Sequence, residues 1–243
     1  MNTTLSTQVR SGTLYLIPVP LSDSPIENVL PQFNLTLIPH IKHFVVENIR
    51  SARRFLKTVN RQIDIDSLTF YELNKHNSPN DMSGYLAPLK EGMDLGLISE
   101  AGCPAIADPG ALLVAAAHRA GYTVSPLVGP SSILLALMSS GFNGQEFAFH
   151  GYLPIDENER KSSILKFEQA AQRQGSAHIF IETPYRNDKL VEELCRLCKP
   201  STKLCIASDI TGDKQMIRTQ HLSEWKRQKP CLHKIPTIFI LGK

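Results

Sequence analysis

The chain has 243 residues, 42% of them hydrophobic and 20% charged, with a formal net charge of +3. That is an ordinary globular composition, long enough for one large domain or two small ones with real cores. No apolar run approaches the ~20 residues that span a bilayer. A charge of +3 does not announce a nucleic-acid binder, although phosphate contact depends on local clustering rather than on the net value. The N-terminus lacks the charged-then-apolar layout of a secretory signal, so a cytoplasmic protein is expected, with no membrane segment.

Strands and helices alternate along the chain. Thr13 to Val19 is a short apolar run containing Pro18 and stopped by Pro20, and it reads as a first strand. Phe44 to Glu47 is a second, followed by an amphipathic helix from Arg50 to Asn60; Leu68 to Leu73 reads as a third strand. The strand Asp94 to Ser99 runs into the Gly/Pro-rich loop Glu100-Ala101-Gly102-Cys103-Pro104 and Asp108-Pro109-Gly110, then into a helix over Leu112 to Ala120 capped by Gly121. Thr123 to Val128 is a further strand, leading through Gly129-Pro130-Ser131-Ser132 to a small-residue helix, Ile133 to Ser140.

Gly141 to Pro154 changes character, with Phe142, Phe147, Phe149, Tyr152 and no helical period. A second unit follows: helix Asn158 to Arg173, strand His178 to Glu182, helix Tyr185 to Cys198, strand Lys203 to Ser208, a hairpin with a short helix, and a last strand, Thr237 to Leu241. The fold class expected is α/β, with two α/β domains, 1–128 and 129–243. The first has a mostly parallel sheet covered by helices on both faces, the second a mixed sheet. The five cysteines give no disulfide framework. Cys195 and Cys198 sit inside a helical pattern without a second pair at zinc spacing, so no metal is expected.

The loop after the Asp94 to Ser99 strand carries the most information. Gly102 permits close backbone approach or a positive φ, Pro104 and Pro109 stiffen the turn, and strand ends of open α/β sheets are where ligands bind. It resembles the E/D-A-G-T-P-x-I-S-D-P-G signature of a methyltransferase family. Together with Gly12-Thr-Leu-Tyr, Leu127-Val-Gly-Pro-Ser-Ser, Gly151-Tyr-Leu-Pro and Ile181-Glu-Thr-Pro-Tyr-Arg, all in order, the chain resembles the tetrapyrrole methylase superfamily. Within it the chain is most similar to the 16S rRNA (cytidine-2′-O-)-methyltransferase branch.

The resemblance implies S-adenosylmethionine folded into a cleft between two α/β domains, and a homodimer. Carried over position by position, the cofactor meets Pro18, Glu100, Ala101, Gly102, Cys103, Ser131 and Ser132, then Thr183, Ala207, Pro236 and Thr237. Ser131 and Ser132 are equally suited to capping the helix that follows. The acceptor implied is a ribose hydroxyl of the small ribosomal subunit, a poor nucleophile that a nearby base would help.

Several positions depart from the branch. T-P-I-G-N becomes Val19-Pro-Leu-Ser-Asp23, A-E-D-T-R becomes Val46-Glu-Asn-Ile-Arg50, and R-E-L-T-K becomes Ser208-Asp-Ile-Thr-Gly212. Glu47 and Asp209 are the candidate catalytic carboxylates. Arg50, Arg53, Arg54, Lys57 and Arg61 fall at helical spacing, a stripe that either grips RNA phosphates or is a solvated helix face. Arg50, Arg53 and Arg54 are the candidate substrate contacts. Two alternatives stay open: a corrin or porphyrin precursor as acceptor, and a non-catalytic cofactor-binding paralogue.

Overall fold

The computed structural model describes residues 11–73 and 82–243. These form two compact units, one holding the chain up to Pro20 with Pro25–Pro130, the other Leu21–Ser24 with Ser131–Lys243. Leu21 packs against the apolar cluster of Ile133 and Leu137, which draws this short segment into the second unit.

The first domain runs β1 (Thr13–Ile17), α1 (Gln32–Leu37), β2 (His43–Val46), α2 (Ile49–Val59), β3 (Thr69–Glu72), α3 (Ala87–Lys90), β4 (Leu95–Ile98), α4 (Gly110–Arg119) and β5 (Thr123–Pro126), with short 3-10 turns between. Its sheet, ordered β3-β2-β4-β1-β5, is parallel throughout. Alternation along the strands covers both faces: Phe44 and Val46 pack with Ala52 and Leu56 of α2, while Val45 turns the other way toward Leu113 and Ala117 of α4. β1 stops at Ile17, two residues before the expected end, because Val19 leaves the ladder for a separate bridge to Gly102.

Local signals place the helix ends. Asn48 caps α2, its side-chain oxygen accepting from the N–H groups of Arg50 and Ser51. α4 closes in a Schellman arrangement: the Gly121 N–H, at φ +77°, reaches the His118 carbonyl, and the Tyr122 N–H reaches that of Ala117. The short α1 and α3 lie outside the sequence expectation, since neither is long enough to show a helical period.

The second domain holds α5 (Ser132–Ser140), β6 (Phe147–Tyr152), α6 (Glu157–Gln174), β7 (Ala177–Ile181), α7 (Asn187–Leu197), β8 (Lys203–Ser208), β9 (Met216–His221), α8 (Leu222–Arg227) and β10 (Thr237–Gly242). Its sheet, β6-β7-β10-β8-β9, is mixed: β6 lies parallel to β7, and the other neighbours are antiparallel. α6, α7 and α8 cover one face through Ile164, Leu190, Leu194 and Trp225, and α5 covers the other through Ala136 and Leu137. The aromatic stretch after Gly141 is the edge strand β6. No helix among the described residues is long and apolar enough to cross a membrane.

A polar chain threads β6 and β7. His150 Nε2 lies 2.9 Å from His178 Nδ1, and His178 Nε2 lies 3.0 Å from Ser176 Oγ, with the His150 ring stacked on Phe167 at 3.8 Å. Burial, and then the charges of His178 and Lys166, push His150 down to about 4; burial also lowers His178, against a raising influence from Glu146. Between pH 6.5 and 4 the unfolded chain therefore binds more protons at His150 than the folded one. Stability should fall as pH is lowered through that window. Urea midpoints measured across it should drop for the wild type and drop less for His150→Gln.

Candidate active site

In a parallel sheet the strands all end on one edge, and here that edge is built by loops that lock onto each other. After β1 and β4 the chain forms a reciprocal backbone pair: Val19 N–H donates to the Gly102 carbonyl at 3.0 Å, and Gly102 N–H to the Val19 carbonyl at 3.1 Å. Gly102 sits at φ +70°, a conformation that favours glycine. After β5, Gly129 lies so close to Pro18 that a Cβ there would stand 2.2 Å from the Pro18 ring. Asn34 of α1, fully buried, donates its amide to the Val128 carbonyl at 2.8 Å and holds the same loop from below. Pro18, Glu100, Ala101, Gly102 and Cys103 are thereby brought to one edge of this domain.

The rest of the β4 loop is knitted around one carboxylate. Asp108 accepts the N–H of Ala105 on both oxygens (2.9 and 3.1 Å) and that of Gly110 at 2.7 Å. This holds Ala105 and Ala107 at φ +67° and +63°. Burial raises the Asp108 carboxyl, and the N–H groups of Gly110, Ala105 and Ile106 partly offset it. A side chain at Gly110 would strike Asp108 Oδ1 at 2.8 Å, which is the physical content of the Asp-Pro-Gly motif. Cys103 Sγ lies 3.5 Å from the Pro130 carbonyl, and burial pushes its thiol up.

Beside this edge, β2 hands over to α2. Glu47 Oε1 accepts the Glu100 N–H at 3.2 Å, and Ser51 Oγ lies 2.5 Å from Glu100 Oε1 and 3.0 Å from the Asn48 carbonyl. Arg50, Arg53 and Arg54 are exposed on α2. The Arg53 guanidinium lies over the Phe70 ring, 5.5 Å from its centroid. Lys57, also exposed, donates its Nζ to the carbonyls of Arg61 and Ile63.

In the second domain β10 runs antiparallel to β7 and β8, so its start adjoins their ends: Ile238 pairs with both Ile181 and Ala207, and Thr237 with Ser208. Thr183, Ala207, Pro236 and Thr237 therefore share one edge. Glu182, buried, accepts the Thr183 N–H and the Arg186 guanidinium on the same oxygen, each at 2.6 Å. Asn187, fully buried, donates to the Ile235 carbonyl at 2.7 Å. Arg186 Nε and Asn187 Oδ1 are buried with no hydrogen-bond partner among the described residues. Asp209, at φ +48°, is tied up by its own turn: Oδ2 accepts the Lys214 N–H at 2.9 Å, and a Cβ at Gly212 would fall 2.3 Å from its carboxylate. Ser131 caps α5, its Oγ accepting the Leu134 N–H at 3.4 Å, and Ser132 opens that helix.

No family model matches the chain. Ribosomal RNA small subunit methyltransferase I of Vibrio cholerae is 28% identical over 211 residues, covering 87% of this chain and 69% of that protein. The chain spans about two thirds of the length of the curated relatives it matches. Among solved structures, the methyltransferase CobJ superimposes with a TM-score of 0.63 at 18% identity, over 96% of this chain and 95% of the other. Uroporphyrin-III-C-methyltransferase from Thermus thermophilus does so with a TM-score of 0.56 at 16% identity, over 96% and 92%. The chain has the tetrapyrrole methylase fold.

The motifs read from the sequence prove to be loop-building devices. Sequence reasoning missed Ser51, Asn34 and the pair Glu182–Arg186. The last was visible as an acid and a base four residues apart around Pro184. Asn34 had no signal, because its partner carbonyl lies 94 residues away. Replacing Asp108 by Ala leaves at least two backbone N–H groups without an acceptor. It should cost about 1–3 kcal/mol for each one left buried, read as a lower urea midpoint at unchanged slope.

Proposed function

We propose that this chain is an S-adenosylmethionine-dependent methyltransferase that methylates a ribose 2′-hydroxyl in small-subunit rRNA. The likeness to proteins named for small-subunit rRNA methylation supports the acceptor. The observation that carries the reading is the locked edge after β1 and β4, where an exposed Ala101 stands beside Gly102, carboxylates stand at Glu47 and Glu100, and basic residues rise from α2. By the same resemblance the proposal includes a cytoplasmic location and a homodimer.

The residues present suit the cofactor. Exposed Glu100 and Ala101 leave the start of the loop accessible while buried Gly102 locks it to Val19, and the orphaned Arg186 Nε and Asn187 Oδ1 lie beside Thr183 and Ile235. The contacts proposed for it are Pro18, the backbone of Glu100, Ala101, Gly102, Cys103, Ser131 and Ser132, together with Thr183, Ala207, Pro236 and Thr237. S-adenosylmethionine supplies a methyl group already activated on a sulfonium. What is left for the protein is alignment and exclusion of water, an effect that can reach about 7–11 kcal/mol. Arg50, Arg53 and Arg54 would bind phosphates. A pyrrole carbon has less need of a base than a hydroxyl, so an edge carrying Glu47 and Glu100 favours the hydroxyl acceptor.

Calorimetric titration with S-adenosylhomocysteine, followed by radiolabelled methyl transfer to unmethylated small ribosomal subunits, tests this directly. Binding and label in RNA are expected; binding without label would refute the acceptor, and absence of binding the activity. Reversing Arg53 and Arg54 to Glu should weaken RNA binding and flatten the slope of log K against log salt by about 0.7 for each phosphate no longer neutralised. An unchanged slope would return the α2 stripe to a solvated helix face.

A further inference from the structure

We propose that Glu100 is the general base for the acceptor hydroxyl, with Ser51 and Glu47 as positioning residues. This deepens the hydroxyl-methylation reading and rests on it. The acids at these strand ends differ in what they already hold: Asp108 accepts the Ala105 and Gly110 N–H groups, and buried Glu182 accepts the Thr183 N–H and the Arg186 guanidinium. Asp209 is held under Gly212 with its Oδ2 on the Lys214 N–H. Glu47 gives Oε1 to the Glu100 N–H. Glu100 is exposed, whereas Glu47 and Asp209 are partly buried; among the described residues its carboxylate accepts from Ser51 Oγ at Oε1 and makes no ion pair.

Its surroundings suit a group that must exist with and without a proton. The backbone of Glu100 is fixed by Glu47, and its Oε1 by Ser51. Ser51 is itself anchored, its N–H donating to the Asn48 side chain at 3.3 Å. The Ser51 hydroxyl has one proton and two acceptors within reach, Glu100 Oε1 and the Asn48 carbonyl at 3.0 Å. While Glu100 is ionised, the proton serves the carboxylate. Once Glu100 is protonated, the hydroxyl turns to the Asn48 carbonyl. Ser51 thus follows the charge on Glu100 without leaving either state unpaired.

The step balances. A lone pair of the ribose oxygen forms the new O–CH₃ bond as the C–S pair returns to sulfur. The O–H proton passes to Glu100, so one positive and one negative charge disappear together.

The test uses the full chain with unmethylated small ribosomal subunits, and two readouts: affinity for S-adenosylhomocysteine, and single-turnover methyl transfer against pH. Glu100→Gln should bind S-adenosylhomocysteine as the wild type does, yet transfer methyl about 10²- to 10⁴-fold more slowly. Ser51→Ala should slow transfer and move the acidic limb of the pH profile, and Ser51→Thr should restore both. Undiminished transfer by Glu100→Gln beside an active wild type overturns the assignment alone. Parallel loss of S-adenosylhomocysteine binding in Glu100→Gln overturns it too, making the Glu100 side chain a cofactor contact. A wild type that binds but never labels RNA overturns the hydroxyl reading and this assignment with it.

Discussion

The reciprocal hydrogen bonds between Val19 and Gly102 organise everything else at the first domain's strand ends. Neighbouring parallel strands end side by side, and nothing in the ladder dictates where their loops go next. Two backbone bonds, closed by a glycine at φ +70°, make the loops after β1 and β4 a single piece. Pro18 against Gly129 adds the loop after β5 to that piece, and Asn34 ties it to α1. Loops fixed in this way hold their backbone groups at set positions before any ligand arrives, and preorganisation is what a group transfer with an activated donor chiefly demands.

A second device recurs in both domains: a carboxylate placed inside a loop to collect backbone N–H groups. Asp108 does so for Ala105 and Gly110, Glu182 for Thr183, and Asp209 for Lys214, while Glu47 reaches across to Glu100. In sequence, acids at strand ends look like catalytic candidates. In the structure most of them are acceptors that shape turns, and this is why the proposed proton transfer falls to Glu100. The basic stripe on α2 likewise has structural partners: Lys57 caps the turn after its helix, and Arg53 lies over Phe70.

Much of this is legible in the sequence. The βαβ order, the parallel sheet of the first domain and the mixed sheet of the second follow from hydrophobic periodicity punctuated by Gly and Pro, and most element ends fall within two residues of expectation. Lys203–Ser208 reads with its true bounds, because both faces of that strand are buried and its apolar run is unbroken. α1, α3 and β6 escape such a reading: the helices are too short to show a period, and β6 is an edge strand whose bulge between Phe149 and Tyr152 blurs its alternation. Ser51 and Asn34 are invisible because their meaning lies in partners 49 and 94 residues away. Local pattern carries the elements, whereas the fine structure of the site depends on where the fold brings distant loops.

The central claim is that the strand-end loops are locked before any ligand binds. Native-state amide hydrogen exchange at Val19 and Gly102, in protein free of ligand and again with S-adenosylhomocysteine, tests it most directly. The account predicts both amides to be strongly protected in the free protein and more so in the complex. Exchange at unfolded-chain rates in the free protein, with protection arising only on binding, would contradict it.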